Sequence, residues 1–167
     1  MKTVKSILPA IVIISIIVYN LFFDVNSKSL MKDGIAKGKR KDYKGAIMDF
    51  NEALKINPND AECYRLRGIY KGKVKDYKGA RSDFNKSLEI DPNDMLSLQH
   101  KGNVQLKMKD FEGAITTYSK LLEKKGKFPL WYKLRGEAKL KLRNYKGAKS
   151  DFDKEKRALQ ELRKNGQ

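Results

Sequence analysis

The chain is poor in the residues that build covalent frameworks, metal sites and catalytic centres. It has one cysteine, Cys63, one histidine, His100, and one tryptophan, Trp131. A single cysteine excludes an internal disulfide framework and any multi-cysteine metal site. His100 has no carboxylate four residues away, and no P-loop, GxSxG, HExxH or CxxC pattern occurs. No enzyme activity, catalytic residue, metal ligand or cofactor is therefore expected. Acidic residues are also scarce, 20 Asp and Glu against 37 Lys and Arg, which leaves a formal net charge of +17. Only eight of the basic residues are Arg, the side chain suited to bidentate phosphate and base recognition; the rest are hydrated lysine point charges. Prolines number four, too few to interrupt helices often.

Long apolar runs are absent except at the start. Ile7 to Phe23 is an uncharged stretch, preceded by Lys2 and Lys5 and ended by Asp24. Seventeen residues of helix span roughly 26 Å, slightly less than the ~30 Å hydrocarbon core. The preferred reading of residues 1–26 is a single-pass N-terminal membrane anchor through residues 7–23. A cleaved signal segment, leaving a secreted or periplasmic protein, is the alternative, with a weak small-residue site at Val25-x-Ser27. Orientation is contested: Lys28, Lys32, Lys37, Lys39, Arg40 and Lys41 favour a cytoplasmic repeat domain, whereas short basic N-terminal tails tend to stay inside and send the domain out. The balance leans slightly to an extracytoplasmic domain.

What the rest of the chain has is a period. Glycines recur at Gly34, Gly68, Gly102 and Gly136, and again at Gly45, Gly79, Gly113 and Gly147. Alanines recur at Ala46, Ala80, Ala114 and Ala148, and aromatics at Phe50, Phe84, Tyr118 and Phe152 and at Tyr43, Tyr77, Phe111 and Tyr145. Five columns in register at an interval of 34 residues define four units, 27–60, 61–94, 95–128 and 129–162, before a polar end at 163–167. Each unit reads as two short helices. In the second unit they span Ala61 to Val74 and about Tyr77 to Glu89, with a turn at Lys75-Asp76. The breakers INPND (Ile56 to Asp60) and IDPND (Ile90 to Asp94) end the first two units. Pro129 opens the fourth, and Asp151 to Lys164 reads as one long polar helix that closes the array.

The pattern resembles the tetratricopeptide repeat, most completely at Tyr64, Gly68, Ala80, Phe84 and Pro92. One departure is systematic: the Leu usual before the first Gly is replaced by Asp33, Arg67, Lys101 and Arg135. The resemblance implies an all-α fold, a right-handed superhelical solenoid of antiparallel helix pairs, preceded here by the N-terminal apolar helix. It also implies a concave groove lined by the first helix of each unit. The candidate groove residues are Met31, Ile35 and Lys39; Arg65, Leu66, Ile69 and Lys73; Gln99, His100, Asn103 and Lys107; and Lys133, Leu134, Glu137 and Lys141. The carboxylate clamp by which some relatives grip acidic chaperone tails is not matched. Its positions hold Met31, Ile35, Leu66, Leu96 and His100, or one unit on, Arg65, Ile69, His100, Leu130 and Leu134.

Two basic ladders run through the units, Lys39, Lys73, Lys107 and Lys141, and Lys41, Lys75, Lys109 and Arg143. Lysine near a helix C-terminus is favoured by the dipole by about 0.3–1 kcal/mol, which explains the ladders without a ligand; a rail for an extended acidic peptide or anionic surface is the competing reading. Cys63 and Trp131 are expected to be packing residues. The expected function is a membrane-tethered, non-catalytic scaffold that binds a peptide or helix of another protein in the groove. The alternative is a polyanion binder for nucleic acid or acidic lipid. Nucleic acid is disfavoured by the Lys-over-Arg bias, and self-association stays open.

Overall fold

A computed structural model of the chain describes residues 2–165, with side chains described at 12–15, 18, 25–124 and 126–164. Among the described residues eight helices follow one another: α1 (Lys2–Lys39), α2 (Tyr43–Ile56), α3 (Ala61–Lys73), α4 (Tyr77–Ile90), α5 (Met95–Lys107), α6 (Phe111–Lys125), α7 (Pro129–Lys141) and α8 (Tyr145–Asn165). Each packs against its neighbours in chain order, and α3 also touches α1 and α5. These are the antiparallel pairs that the 34-residue period implies, stacked so that a unit contacts only the units beside it. No break separates the apolar leader from the first unit: α1 runs through the boundary expected at residue 27. Among the described residues no helix is long and apolar enough to cross a membrane. Most of the run from Ile7 to Phe23 lies outside the described side chains, and so does the expectation of an anchor or signal segment.

The recurring glycines mark where an aromatic ring of the second helix lies on the first. A Cβ on Gly68 would come within 2.9 Å of the Phe84 ring, and one on Gly136 within 2.8 Å of Phe152. The close approach is thus backbone against ring, and the ring is what fills each pair. Phe50, Phe84 and Tyr118 are buried, each burial stabilising by about 2 kcal/mol. Phe152 is only half-buried. Cys63 is fully buried, donates its thiol to the Phe50 carbonyl at 3.6 Å, and is a packing residue as expected. Burial, reinforced by the nearby Asp60 carboxylate, pushes its thiol up to about 12. Trp131 packs back into the third unit with Leu98, Tyr118 and Leu121, its indole N–H donating to Gln99 Oε1 at 3.3 Å.

The turn inside each unit repeats four times. The amide of Lys41 donates to the Gly38 carbonyl and that of Asp42 to Lys37, and equivalent pairs recur at Lys75-Asp76, Lys109-Asp110 and Arg143-Asn144. This double bond pattern closes the first helix and needs a left-handed residue at its centre, where glycine is usual. Here it is Lys41 (φ 66°), Lys75 (φ 65°), Lys109 (φ 60°) and Arg143 (φ 59°). The second basic ladder therefore consists of the four strained turn residues, each at a backbone cost of roughly 1 kcal/mol relative to glycine. The next residue, Asp42, Asp76, Asp110 or Asn144, caps the second helix by accepting from the amide three residues on. The closing helix α8 is a single 21-residue helix, longer than the expected Asp151–Lys164 at its start.

Candidate functional site

The first helices present one face to a shallow hollow between the second and third units. Its volume is about 230 Å³, and its lining includes Ile69, Lys73, His100, Asn103 and Lys107. His100 lies on the Phe84 ring, centroids 5.8 Å apart. Burial, then the Arg65 guanidinium and to a lesser extent the Lys73 ammonium, lowers its pKa from the ordinary 6.5, so the imidazole is neutral at neutral pH. Asn103 accepts from the Tyr118 hydroxyl at 2.8 Å, and Arg65 is held by Asp94 at 3.1 Å and Glu62 at 3.2 Å. The hollow is thus apolar at its floor, with Lys73 and Lys107 exposed at its edge.

The remaining candidates divide. Met31 is 8% exposed, belongs to the first core cluster and is not open to a partner. Ile35 and Leu66 pack on that same cluster and Leu134 on the Trp131 cluster, so these three are half core. Gln99 is tied to Trp131. Lys39, Lys133, Glu137 and Lys141 are exposed. Apart from Ile69 in the hollow, the apolar members of the candidate set thus help to hold the units together, while the charged ones other than Arg65 are exposed.

Sequence reasoning missed a charged clasp on another flank of the first helices. Arg67 grips Asp83 with two hydrogen bonds, Nε to Oδ2 at 2.9 Å and Nη2 to Oδ1 at 2.6 Å, and reaches back to Asn51 at 2.9 Å. Lys71 adds an ion pair to Asp83 at 2.9 Å. Two units on, Arg135 repeats this with Asp151 at 2.8 and 2.6 Å and with Ser119 at 2.9 Å, and Lys139 completes it at 2.8 Å. Both carboxylates are buried, Asp83 at 3% and Asp151 at 1% exposure. Burial alone would raise the Asp151 carboxyl, but the bonds from Arg135 and Lys139 outweigh it and hold the group below its ordinary value. Arg67 and Arg135 also stand over the rings of Tyr64 and Tyr132. The signal was in the sequence, because Arg and Asp sixteen residues apart recur at an interval of 68. The departure from Leu at the position before glycine is what makes room for the clasp.

The first and third units each keep a different part of it. In the first, Lys37 pairs with Asp49 at 2.7 Å, but the arginine position is Asp33, and Asp49 Oδ2 is buried with no hydrogen-bond partner. In the third, the carboxylate position is Thr117 and the lysine position is Gln105. Thr117 donates to Gln105 Oε1 at 2.7 Å, and Gln105 donates to Asp110 at 3.1 Å. Among the described residues no group of three or more His, Cys, Asp and Glu could hold a metal ion.

A tetratricopeptide-repeat model matches residues 34–60 and 61–94, the first two units. No curated protein matches the chain. Among solved structures, one described as MamA is similar with a TM-score of 0.80 at 19% identity, over 83% of this chain and 81% of that one. A MamA fragment from Desulfovibrio magneticus RS-1 is similar with a TM-score of 0.76 at 22% identity, over 80% of this chain and 75% of that one. The first repeat domain of Spaghetti (RPAP3), bound to the HSP90 peptide SRMEEVD, aligns with a TM-score of 0.66 at 17% identity, over 72% of this chain and 98% of that one. At these identities the structures speak to fold alone. The family model thus covers the first two of the four counted units, and the solved structures share the fold over most of the chain.

Proposed function

We propose that the chain is a non-catalytic adaptor that holds an acidic segment of another protein in the hollow between the second and third units, and that the N-terminal run tethers it to a membrane. Repeat proteins of this fold serve as protein-interaction scaffolds. The observation that carries the acidic preference is the pairing of an apolar floor, Ile69 with His100 on Phe84, with the exposed ammonium groups of Lys73 and Lys107. A segment with alternating apolar and acidic side chains satisfies both features. The net charge of +17 adds attraction at long range. A chaperone-tail receptor is a poorer fit, because the positions that need Lys, Asn, Asn, Lys and Arg hold Met31, Ile35, Leu66, Leu96 and His100, or one unit on Arg65, Ile69, His100, Leu130 and Leu134.

The test is binding of a labelled ten-residue peptide with alternating Leu and Glu, read by fluorescence anisotropy, to the wild-type chain and to the double variant Lys73→Glu, Lys107→Glu. Both lysines are exposed, so the fold is retained; Leu66→Glu would instead disturb the first core cluster. A tenfold or greater loss of affinity in the double variant supports the reading, and equal affinity removes it. The tether is tested by protease accessibility of the repeats in intact cells and by carbonate extraction of the membranes. Release into the soluble fraction would contradict it. The net charge also supports the second reading, a polyanion binder; duplex DNA bound more tightly than the peptide, with steep salt dependence, would favour that reading.

A further inference from the structure

The third unit keeps one cation at the clasp positions, Lys101, without the carboxylate. Lys101 occupies the position of Arg67 and Arg135, one and minus one period away, and Thr117 stands where Asp83 and Asp151 stand. Among the described residues Lys101 makes no ion pair. It is half-buried, on a different flank of α5 from the hollow that holds His100. Beside it a cavity of about 520 Å³ opens between α4, α5 and α6. Its walls include Lys101, Lys120 and Lys124, with the polar Gln105, Thr116 and Thr117. Burial, then Lys120 and Arg81, depresses the Lys101 ammonium, and the one carboxylate that opposes them is Asp110. Asp110 is already engaged: it caps α6 at Gly113, accepts from Gln105, and stands 3.8 Å from Arg81. Lys124 is held by Asn93, whereas Lys120, like Lys101, has no ion pair among the described residues.

From this arrangement we infer that the cavity is a binding site for an oxyanion, a carboxylate or phosphate group, that takes the place of the aspartate missing from the third unit. The molecule itself supplies the precedent. At the equivalent position in the second and fourth units a carboxylate takes two guanidinium N–H groups and an ammonium, with distances of 2.6 to 2.9 Å. In the third unit Lys101 and Lys120 line the cavity together with the Gln105 side-chain amide. An anion entering there gains charge-assisted hydrogen bonds in a partly desolvated setting, where they are stronger than at an open surface. The site is separate from the proposed peptide hollow, so one partner can be held at both or two ligands at once.

The experiment is a titration of the full ¹⁵N-labelled chain with sodium phosphate and, separately, with sodium acetate, at ionic strength held constant with sodium chloride. The amide shifts of Gly113 and Thr117 are followed. Saturable shifts with either anion are expected, and they should be lost or weakened at least fivefold in both Thr117→Asp, which supplies the carboxylate internally, and Lys101→Met. Saturation by acetate identifies the ligand group as the Asp or Glu side chain of a partner; saturation by phosphate alone identifies a phosphate group. No saturable shift with either anion, or unchanged saturation in the variants, overturns the proposal. Should Thr117→Asp fail to fold, Lys101→Met decides, because removing a half-buried unpaired charge leaves the apolar packing intact.

Discussion

The second and fourth units hold a buried carboxylate in a bidentate guanidinium grip, while the third unit, between them, holds a threonine and a glutamine in the same place. All three units share the Gly–aromatic contact, the left-handed turn and the capped second helix. The clasp is therefore not needed to make the fold. What it changes is how each unit answers to charge: in the paired units one buried carboxylate engages both cations, whereas in the third Lys101 has no ion pair and lines a cavity. Breaking a buried pair by removing one partner is far more damaging than the net worth of the pair, because it strands a charge. Losing a neutral hydrogen bond is mild.

That difference sets the largest expected effect. Asp151→Ala strands Arg135 and Lys139, whose side chains are 13% and 18% exposed, and should lower unfolding free energy by about 3 kcal/mol. Thr117→Ala at the matching place in the third unit should cost about 1 kcal/mol. Urea titration followed by circular dichroism measures both, and equal losses would erase the distinction between the units. Acid offers a sharper form of the same contrast. The folded-state value of Asp151 lies below the ordinary 3.8, so its stabilisation is fully present above that value and is lost as pH falls through the lower, folded one. Hydrogen exchange monitored as pH drops below 4 should show α7 and α8 losing protection before α5 and α6, with no such order in Asp151→Asn. Two smaller effects follow. Acidic-peptide affinity should rise a few-fold as pH falls below 6.5, where His100 gains a proton, and stay flat in His100→Gln. Lys109→Gly should stabilise by about 0.5–1 kcal/mol, and Lys75→Gly by the same amount, because the strained turn is common to units with and without the clasp.

The units and their helices were legible because their columns tolerate so little. Gly68 and Gly136 are pinned by an aromatic ring within 3 Å of any added Cβ, so the period shows in the sequence without an alignment. Helix bounds were legible where Asp60 and Asp94 cap the next unit, since a capping carboxylate beside proline is a local signal. The turns were not. A lysine at φ near 65° leaves no mark in the sequence when glycine is the usual occupant, and the ladder it forms reads as surface charge. The clasp was half visible: the charged residues before glycine stood out, but their partners lie sixteen residues away on another helix, beyond the reach of helical periodicity. Met31 was misplaced for a related reason. Its spacing puts it on the groove flank, but at 8% exposure it serves the core, in the cluster that joins Phe50 and Leu54 of the first unit to Cys63 of the second.

The proposed preference for an acidic partner segment rests on Lys73 and Lys107 beside an apolar floor. A charge-swap measurement addresses it most directly: the affinities of alternating Leu-Glu and Leu-Lys peptides for the wild-type chain and for Lys73→Glu, Lys107→Glu. The expected result is a crossover, with the wild type preferring the acidic peptide at least tenfold and the variant losing or reversing that preference. An unchanged preference in the variant would contradict the claim and move the recognition surface away from the hollow.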